Sequence, residues 1–371
     1  MAKLGEVCLL KAGKFVSAND ISPEYNKGLY PCFGGNGIRG YVADYTHDGE
    51  FPLIGRQGAL CGNVNLASGK FHATEHAVVV QPKIEMNVHW LYYALNAMNL
   101  GQYATGAAQP GLAVSKLETL SIEIPNISEQ NKIAQTLYKV EQLVNFRKQQ
   151  LAKLDELVKS QFTEMFGDPI NNPMKWIVSK IEDIAAQEKN ALKAGPFGSA
   201  LKKEFYVRSG YKIYGQEQVI CGDASFGDYY IDEEKYKELK NCAVQAGDIL
   251  ISLVGTYGKT LIMPDNYEAG IINPRLMKIT LNKNKVTPIY FKYYFESNAL
   301  KASMDANTHG GTMGILNLGI IRQMKIQVPP LSLQNQFAAF VERVDQQKQT
   351  VQQSLEKLEL LKKALMQEYF G

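Results

Sequence analysis

The stretch PNISEQNKIAQTLYKVEQLVNFRKQQLAKLDELVKSQFTEMFG, residues 125–167, decides the fold because residues 329–371 repeat it without a gap. Of the 43 aligned positions, 16 are identical. Unrelated amphipathic helices share composition, but they do not share an ungapped register of this length. The chain is therefore a duplication, and a duplicated chain suits a target with two parts.

Each copy predicts one long helix. Ser128 is a good N-cap, no glycine or proline follows it before Gly167, and the second helix is expected to begin near Ser332. Apolar residues step by four and three, which is the period of a coiled-coil seam, with polar breaks at Arg147, Gln161, Lys348 and Lys362. Such seams do not stay exposed, so the helices pair with each other or with another protein. The predicted seam residues are Ile133, Leu137, Val140, Val144, Leu151, Leu154, Val158, Phe337, Val341, Val344, Val351, Leu355, Leu358 and Leu365.

The segments that precede the two helices are predicted to be β-rich. Glycine and proline separate short strand-like runs such as residues 77–80 and 121–124, and one helix is expected near residues 89–99. The predicted class is α+β, with β-rich domains at 1–124 and 169–328 and helices at 125–168 and 329–371. If the helices pair antiparallel within the chain, the two domains are related by a pseudo-two-fold axis.

The bulk composition allows several classes of function and excludes a few. A chain of 371 residues suits two domains, and a net charge of +3 does not by itself indicate a nucleic-acid binder. Five cysteines without a C-x-x-C pair argue against a disulfide framework or a structural zinc site and fit a reducing cytosol. The chain shows no signal-peptide core and no membrane-length apolar run, so we expect a cytoplasmic protein without a membrane partner.

Two glycine motifs do not predict nucleotide binding. Residues 35–40 spell G-x-G-x-x-G, but the residues that follow read as extended chain, whereas a dinucleotide site must open a helix. Residues 258–260 match half of a P-loop, but Leu253 stands where its first glycine belongs. We find no methyltransferase motif, nuclease carboxylate set or metal-type His/Glu cluster, and therefore predict no catalytic residues and no metal site.

Several short motifs, taken in chain order, resemble one family. Each helix is entered through a strand that ends in proline, at residues 122–125 and 326–330, and Gln130 and Gln334 fit a P-x-L-x-x-Q opening. The segments 30–38, 54–58, 195–201 and 246–250 and the F-G-D-P exit at 166–169 fit the same pattern. Together they resemble the specificity (S) subunits of Type I restriction–modification systems over nearly the whole chain.

That resemblance implies two target-recognition domains that alternate with two conserved helices. It implies a non-catalytic subunit that reads an asymmetric bipartite site in double-stranded DNA, one half-site per domain. The expected partners are two methyltransferase (M) subunits, with restriction (R) subunits as optional further partners. This chain would bind no cofactor, because S-adenosylmethionine, ATP and Mg²⁺ belong to those partners. The assembled complex would be an adenine-specific DNA methyltransferase, flipping its target base, and an ATP-dependent endonuclease.

Candidate DNA contacts follow from side-chain chemistry. Arginine and lysine pair with guanine, asparagine and glutamine pair with adenine, and basic or hydroxyl groups hold phosphate. For each candidate the simpler interpretation is a solvated loop residue, and Arg56 and Arg275 could instead be structural ion-pair partners. The candidates are Asn36, Arg39, Arg56, Gln57, Gln109, Lys202, Lys203, Gln216, Tyr257, Lys259, Arg275, His309 and Thr312.

Two other functions compete with DNA recognition. The first is a non-enzymatic coiled-coil scaffold whose globular ends bind proteins. The second is a self-contained enzyme that uses the glycine loops, which the missing motifs disfavour. Salt-sensitive binding to duplex DNA would separate DNA recognition from the scaffold.

Overall fold

A computed structural model describes residues 1–106, 110–307 and 316–371. The chain forms two compact units. Unit 1 comprises Met1–Gln149 and Val351–Gly371, and unit 2 comprises Gln150–Thr350. Among the described residues, no helix is long and apolar enough to cross a membrane.

The helices include two of 40 residues each, which at 1.5 Å rise per residue are about 60 Å long. The helices are α1 (Leu4–Val7), α2 (Val88–Ala97), α3 (Val114–Glu118), α4 (Ile127–Phe166), α5 (Ile181–Ile184), α6 (Gln216–Cys221), α7 (Glu233–Glu238), α8 (Pro288–Phe295), α9 (Asn298–Asn307), α10 (Leu318–Gln323) and α11 (Leu331–Phe370). The predicted helix near 89–99 is α2, and Asn87 caps its N-terminus by accepting the Trp90 backbone N–H.

The strands are 2 to 10 residues long, and they occupy the segments that the sequence predicted to be β-rich. They are β1 (Ala2–Lys3), β2 (Cys8–Ala12), β3 (Tyr30–Gly34), β4 (Gly37–Val42), β5 (His47–Gly55), β6 (Val64–Ala73), β7 (Ala77–Pro82), β8 (Ser121–Ile122), β9 (Ile177–Lys180), β10 (Leu192–Ala194), β11 (Tyr211–Tyr214), β12 (Tyr230–Ile231), β13 (Ile249–Ser252), β14 (Thr260–Ile262), β15 (Gly270–Ile272), β16 (Leu276–Ile279) and β17 (Lys325–Val328). The predicted α+β class is confirmed.

The main sheet of unit 1 has the strand order β2-β7-β5-β6-β3-β4. Its pairs are antiparallel except for β3 and β6, which run parallel. The helix α2 buries Trp90, Leu91 and Leu95 against this sheet and against Leu137 of α4. The apolar side chains of β5 and β7 therefore have a closed core on the side that faces the helices.

Unit 2 repeats this pairing scheme in smaller sheets. Strands β10, β16, β13 and β14 form an antiparallel sheet in that order, as β2, β7, β5 and β6 do in unit 1. The parallel pair recurs as β11 with β15. Because α8 packs Tyr290 and Phe291 into the core beside α4, it holds in unit 2 the place that α2 holds in unit 1.

The long helices pack antiparallel within each unit. In unit 1, Lys362 contacts Glu141 at 2.7 Å and Lys148 contacts Glu359 at 2.9 Å. In unit 2, Lys348 contacts Asp155 at 2.6 Å. All the predicted seam residues are buried or partly buried. Three of the four polar breaks in the seam also have a partner in the opposite helix: Lys348 and Lys362 in these ion pairs, and Arg147, whose Nε donates to Ser354 Oγ at 3.1 Å.

The start of the first long helix differs from the prediction. The helix begins at Ile127, and Asn126 is the cap, because its Oδ1 accepts the Glu129 backbone N–H at 3.0 Å. The prediction of Ser128 as N-cap was wrong, because Asn126 is an equally good capping residue and lies two residues earlier. The second long helix begins at Leu331, one residue before Ser332.

The repeated glutamines connect each long helix to the globular part of its unit. Gln130 accepts the Asn87 backbone N–H at 2.9 Å and donates to the Pro125 carbonyl at 2.9 Å. Gln334 accepts the Thr287 N–H at 2.8 Å and donates to the carbonyls of Pro329 and Lys285. Both side chains are almost wholly buried. Each glutamine thus fixes the first turn of its long helix against the start of α2 or α8.

Candidate nucleic-acid interface

In unit 1 the predicted contacts of residues 36–39 lie on the β3–β4 hairpin. Gly35 and Asn36 form its two-residue turn, and Asn36 Oδ1 accepts a hydrogen bond from Asn63 Nδ2 at 2.8 Å. The pairing slips between Cys32 and Phe33, which leaves Arg39 as the extra residue of a bulge on the exposed strand. A bulge redirects a side chain, so Arg39 is available to solvent. The G-x-G-x-x-G stretch is thus a hairpin and opens no helix.

Arg56 and Gln57 follow β5 directly and lie beside that hairpin. A Cβ built on Gly35 would lie 3.4 Å from the Gln57 carbonyl oxygen, and one built on Gly55 would lie 1.9 Å from the Gly35 oxygen. Glycine is therefore required for the two loops to approach. The fold brings Asn36, Arg56 and Gln57 to one edge of the sheet.

The turn between β6 and β7, residues 74–76, belongs to the same edge and was missed by the sequence analysis. The Arg56 N–H donates to the His76 carbonyl at 3.0 Å, and the Thr74 N–H donates to the Phe33 carbonyl at 2.9 Å. Glu75 contacts His76 Nε2 at 3.2 Å. The sequence does show Glu75 and His76 directly before β7, but such a pair of residues is too common to indicate a binding site.

Buried polar atoms without a partner concentrate at this edge. Among the described residues, Arg56 Nε, Thr74 Oγ1, Glu75 Oε2 and His76 Nδ1 are buried and make no hydrogen bond. Since a buried polar group without a partner costs about 1–3 kcal/mol, such a group is expected to gain a partner on binding. No ion pair of Arg56 is found within the described part of the chain, which disfavours its interpretation as a structural ion-pair partner.

Unit 2 assembles an equivalent edge from Gln216, Asn273 and Arg275. Gln216 follows β11 and its Nε2 donates to the Val254 carbonyl. The Leu253 N–H donates to the Arg275 carbonyl at 2.9 Å, as Arg56 donates to His76 in unit 1. Arg275 therefore occupies the position that His76 has in unit 1. Its side chain is exposed.

Tyr257 and Lys259 lie farther along the β13–β14 loop that begins with Leu253 and Val254. They line a cavity of about 370 Å³ together with Lys159 and Lys301. Lys202 and Lys203 are exposed at the start of a short 3₁₀ turn, where Lys202 contacts Glu204 at 3.5 Å. Gln109, His309 and Thr312 lie outside the described residues. The structure thus brings together Gln216 and Arg275, while no contact places the other four described candidates of unit 2 (Lys202, Lys203, Tyr257 and Lys259) against them.

The electrostatics of the edge in unit 1 are mixed in sign. Burial raises the pKa of the Cys32 thiol, Arg39 opposes that rise and Glu75 adds to it. The guanidinium of Arg39 and the carboxylate of Glu75 therefore shift the pKa of the same buried thiol in opposite directions. Burial also raises the pKa of Cys8 to about 11, so this thiol is no ready nucleophile. Within residues 1–106, 110–307 and 316–371, no group of three or more His, Cys, Asp or Glu could hold a metal ion.

Comparisons with known proteins agree on one family. The model of the Type I restriction modification DNA specificity domain matches residues 1–156 and 173–360. The EcoprrI specificity subunit of Escherichia coli is 53% identical over 143 residues, which is 38% of this chain and 36% of that protein. A type I restriction enzyme specificity subunit of Haemophilus influenzae is 26% identical over 333 residues, covering 86% of this chain and 80% of that protein. The chain thus spans about a third of the first relative and most of the second.

Solved structures agree on the fold. The crystal structure of a Type I restriction–modification S subunit from M. genitalium covers 100% of this chain and 95% of its own, with a TM-score of 0.62 at 18% identity. A chain from a study of complex assembly and conformational transition in the type I system covers 100% of this chain and 96% of its own, with a TM-score of 0.58 at 15% identity. At these identities the likeness concerns the fold alone.

Proposed function

Because this chain belongs to the Type I restriction–modification DNA specificity family, we propose that it reads an asymmetric bipartite site in duplex DNA, one half-site per unit. The observation that carries the proposal is the loop edge found in both units, where arginine, asparagine and glutamine side chains collect. These are the side chains that match base edges in the major groove. Arg56 Nε, a buried donor without a partner among the described residues, supports the same assignment, since guanine offers the acceptors that an arginine needs.

Direct contacts to bases are expected from different residues in the two units. In unit 1 they come from Asn36, Arg39, Arg56 and Gln57, and in unit 2 from Gln216 and Arg275. Lys202, Lys203 and Lys259 are better suited to phosphate, because a lysine is a flexible point charge. Tyr257 stays a candidate contact beside Lys259. Gln109, His309 and Thr312 stay predictions from the sequence.

The long helices are proposed to bind two methyltransferase subunits and to set the length of the unread spacer. Exposed apolar side chains on both helices, such as Phe146, Leu157 and Leu360, support a protein partner there. The chain itself would be non-catalytic and would bind no cofactor. S-adenosylmethionine would be held by the methyltransferase subunits, and ATP and Mg²⁺ by restriction subunits that can join the complex.

The test is to assemble the chain with its methyltransferase partner and to sequence the methylome of a host that carries both. The expected result is one asymmetric motif in two parts. Arg56→Ala should relax the first half of the motif alone, and Arg275→Ala the second half alone. Each lost bidentate pair should weaken binding to the intact site by about 1–3 kcal/mol.

The competing function is a scaffold whose globular ends bind proteins. It predicts binding to random duplex DNA that is absent or insensitive to salt, whereas phosphate contacts make the affinity fall steeply between 50 and 200 mM salt. Lys259→Ala should lower the slope of that salt dependence by about one without changing the motif. A complex that forms but neither methylates nor binds DNA would favour the scaffold.

A further inference from the structure

Each unit contains one copy of a second, shorter repeat. Residues 11–17 read KAGKFVS and residues 193–199 read KAGPFGS, so lysine, alanine, glycine, phenylalanine and serine recur at the same positions. The two copies are not separated by the distance that relates the long helices. The ungapped alignment that matches the two long helices therefore does not match these two copies with each other. Their equivalence is shown by their positions in the structure.

The backbone around the two copies is equivalent. The Gly13 N–H donates to the Ala77 carbonyl at 3.0 Å, where β2 meets β7. The Gly195 N–H donates to the Leu276 carbonyl at 2.9 Å, where β10 meets β16. Each glycine directly follows its strand, β2 or β10, and the two strand pairs are equivalent in the two units. The loop that follows each glycine therefore leaves the sheet at the edge that carries the candidate base contacts.

Both loops are held tightly against the turn at that edge. A Cβ on Gly13 would lie 2.0 Å from the Ala73 carbonyl oxygen, and a Cβ on Gly195 would lie 1.9 Å from the Asn273 oxygen. In unit 1 the Lys14 N–H also donates to the Ala73 carbonyl at 2.8 Å. In unit 2 the residue after the glycine is the buried Pro196, whose ring fixes the backbone φ. The phenylalanine that follows is presented on a fixed backbone.

The two phenylalanines are exposed although they are large and apolar. Phe15 is 76% exposed and Phe197 is 89% exposed. Lys11 and Lys14 precede the first ring in the sequence, and Lys193 precedes the second, which lies in the segment leading to Lys202 and Lys203. An exposed ring on a loop fixed to the sheet, with lysines nearby in the sequence, suits a partner that carries negative charge on its outside and apolar groups inside. Duplex DNA, with phosphates around stacked bases, has this composition.

On the premise of the proposed function, we propose that Phe15 and Phe197 are apolar contacts to the DNA bases, one in each half-site, that insert against a base step and loosen its stacking. Aromatic and aliphatic wedges act on DNA in this way and allow the duplex to meet more of the protein surface. The loops that carry the two rings leave the sheet at the turn of residues 74–76 in unit 1 and at the turn of Asn273 in unit 2. They read the deformability of a step rather than its hydrogen-bonding pattern.

The experiment uses the complex of this chain with its methyltransferase partner and a fluorescent duplex that carries the site found by methylome sequencing. Phe15→Ala and Phe197→Ala should each weaken binding roughly ten-fold, as expected for one lost base–aromatic contact. Phe15→Trp and Phe197→Trp should keep the affinity of the parent. The matched control is Ile177→Ala, because Ile177 is also 76% exposed but lies on β9, at the two-stranded β9–β17 sheet.

The second readout is 2-aminopurine, whose fluorescence rises when its base unstacks, placed in one half-site at a time. Binding should brighten the probe in the first half-site unless Phe15 is alanine, and in the second unless Phe197 is alanine. Affinities of both alanine variants within two-fold of the parent would overturn the proposal, as would variants that fail to assemble with the methyltransferase. If the parent complex itself binds no duplex, the proposed function falls, which is a separate outcome.

Discussion

Gln334→Met should destabilise unit 2, because Gln334 makes three hydrogen bonds to backbone groups that have no other partner among the described residues. Its Oε1 accepts the Thr287 N–H at 2.8 Å, and its Nε2 donates to the Lys285 carbonyl at 3.0 Å and the Pro329 carbonyl at 2.9 Å. The side chain is fully buried, so water does not replace these bonds. Methionine keeps the length and the unbranched shape, and the change removes only the polar end.

The size of the effect follows from the count of bonds. A net hydrogen bond contributes about 0.5–1.5 kcal/mol, so three contribute about 2–4 kcal/mol. Burying a thioether in place of an amide offsets about 1 kcal/mol. The expected loss is therefore about 2 kcal/mol in the free energy of unfolding. With a urea m-value of about 2 kcal/mol/M, the midpoint should fall by about 1 M.

The assay can follow each unit separately because the chain has two tryptophans, one per unit. Trp176, whose Nε1 donates to the Phe166 carbonyl, reports unit 2 in a Trp90→Phe background. Gln130→Met, followed by Trp90 in a Trp176→Phe background, should lose less, since Gln130 makes two such bonds. Gln347→Met, on the exposed face of α11, is the control. A urea midpoint for Gln334→Met within about 0.2 M of its parent would refute the proposed contribution of the Gln334 hydrogen bonds.

Three further outcomes are expected. Iodoacetamide at pH 8 should label Cys221 first, because Cys221 is exposed and the other four cysteines are buried. Cys8, whose pKa is about 11, and the other three buried cysteines should stay unlabelled until urea unfolds the chain. Mass spectrometry counts the labels, and rapid labelling of a second cysteine would contradict this prediction. Gly195→Ala should destabilise unit 2 by about 2–3 kcal/mol in urea titrations, whereas Gly198→Ala, with open space around its Cβ, should change little. A double-mutant cycle of Asp155→Asn and Lys348→Gln should give a coupling of about 0.5 kcal/mol that 0.5 M NaCl reduces, and a coupling unchanged by salt would argue against an ion pair at that surface.

The sequence was sufficient for features whose signal is local and periodic. The seam from Ile133 to Val158 and from Phe337 to Leu365 repeats every 3.5 residues, so it predicted both long helices, and the capping residues predicted their starts to within about two residues. Gln130 and Gln334 were visible as repeated residues. Their partners, Asn87 and Thr287, were not, because each lies more than 40 residues away along the chain.

The loop edges could not be predicted, because they depend on strand pairing between distant segments. The parallel pairs β3 with β6 and β11 with β15 bring the turns at Thr74 and Asn273 beside the ends of β3 and β11. No periodicity encodes such a pairing. His76 was missed for this reason, whereas Arg275, at the equivalent position, was selected only for its chemistry. Phe197 was noticed within a family-like segment, but Phe15 had no signal until the strands placed the two loops in equivalent positions.

The equivalence of the two edges bears on why a duplicated chain would read two different half-sites. Three of the backbone hydrogen bonds that shape the edge recur in both units, but the side chains at those positions differ. Arg56 and His76 in unit 1 correspond to Leu253 and Arg275 in unit 2, and each pair is joined by the same N–H to carbonyl bond. A bond between backbone atoms does not depend on side-chain identity, so these positions could change after duplication without loss of the fold. The two units can therefore share one backbone structure and still present different side chains at this edge. The proposed asymmetry of the DNA site would arise at these positions, where the backbone hydrogen bonds do not restrict the side chain.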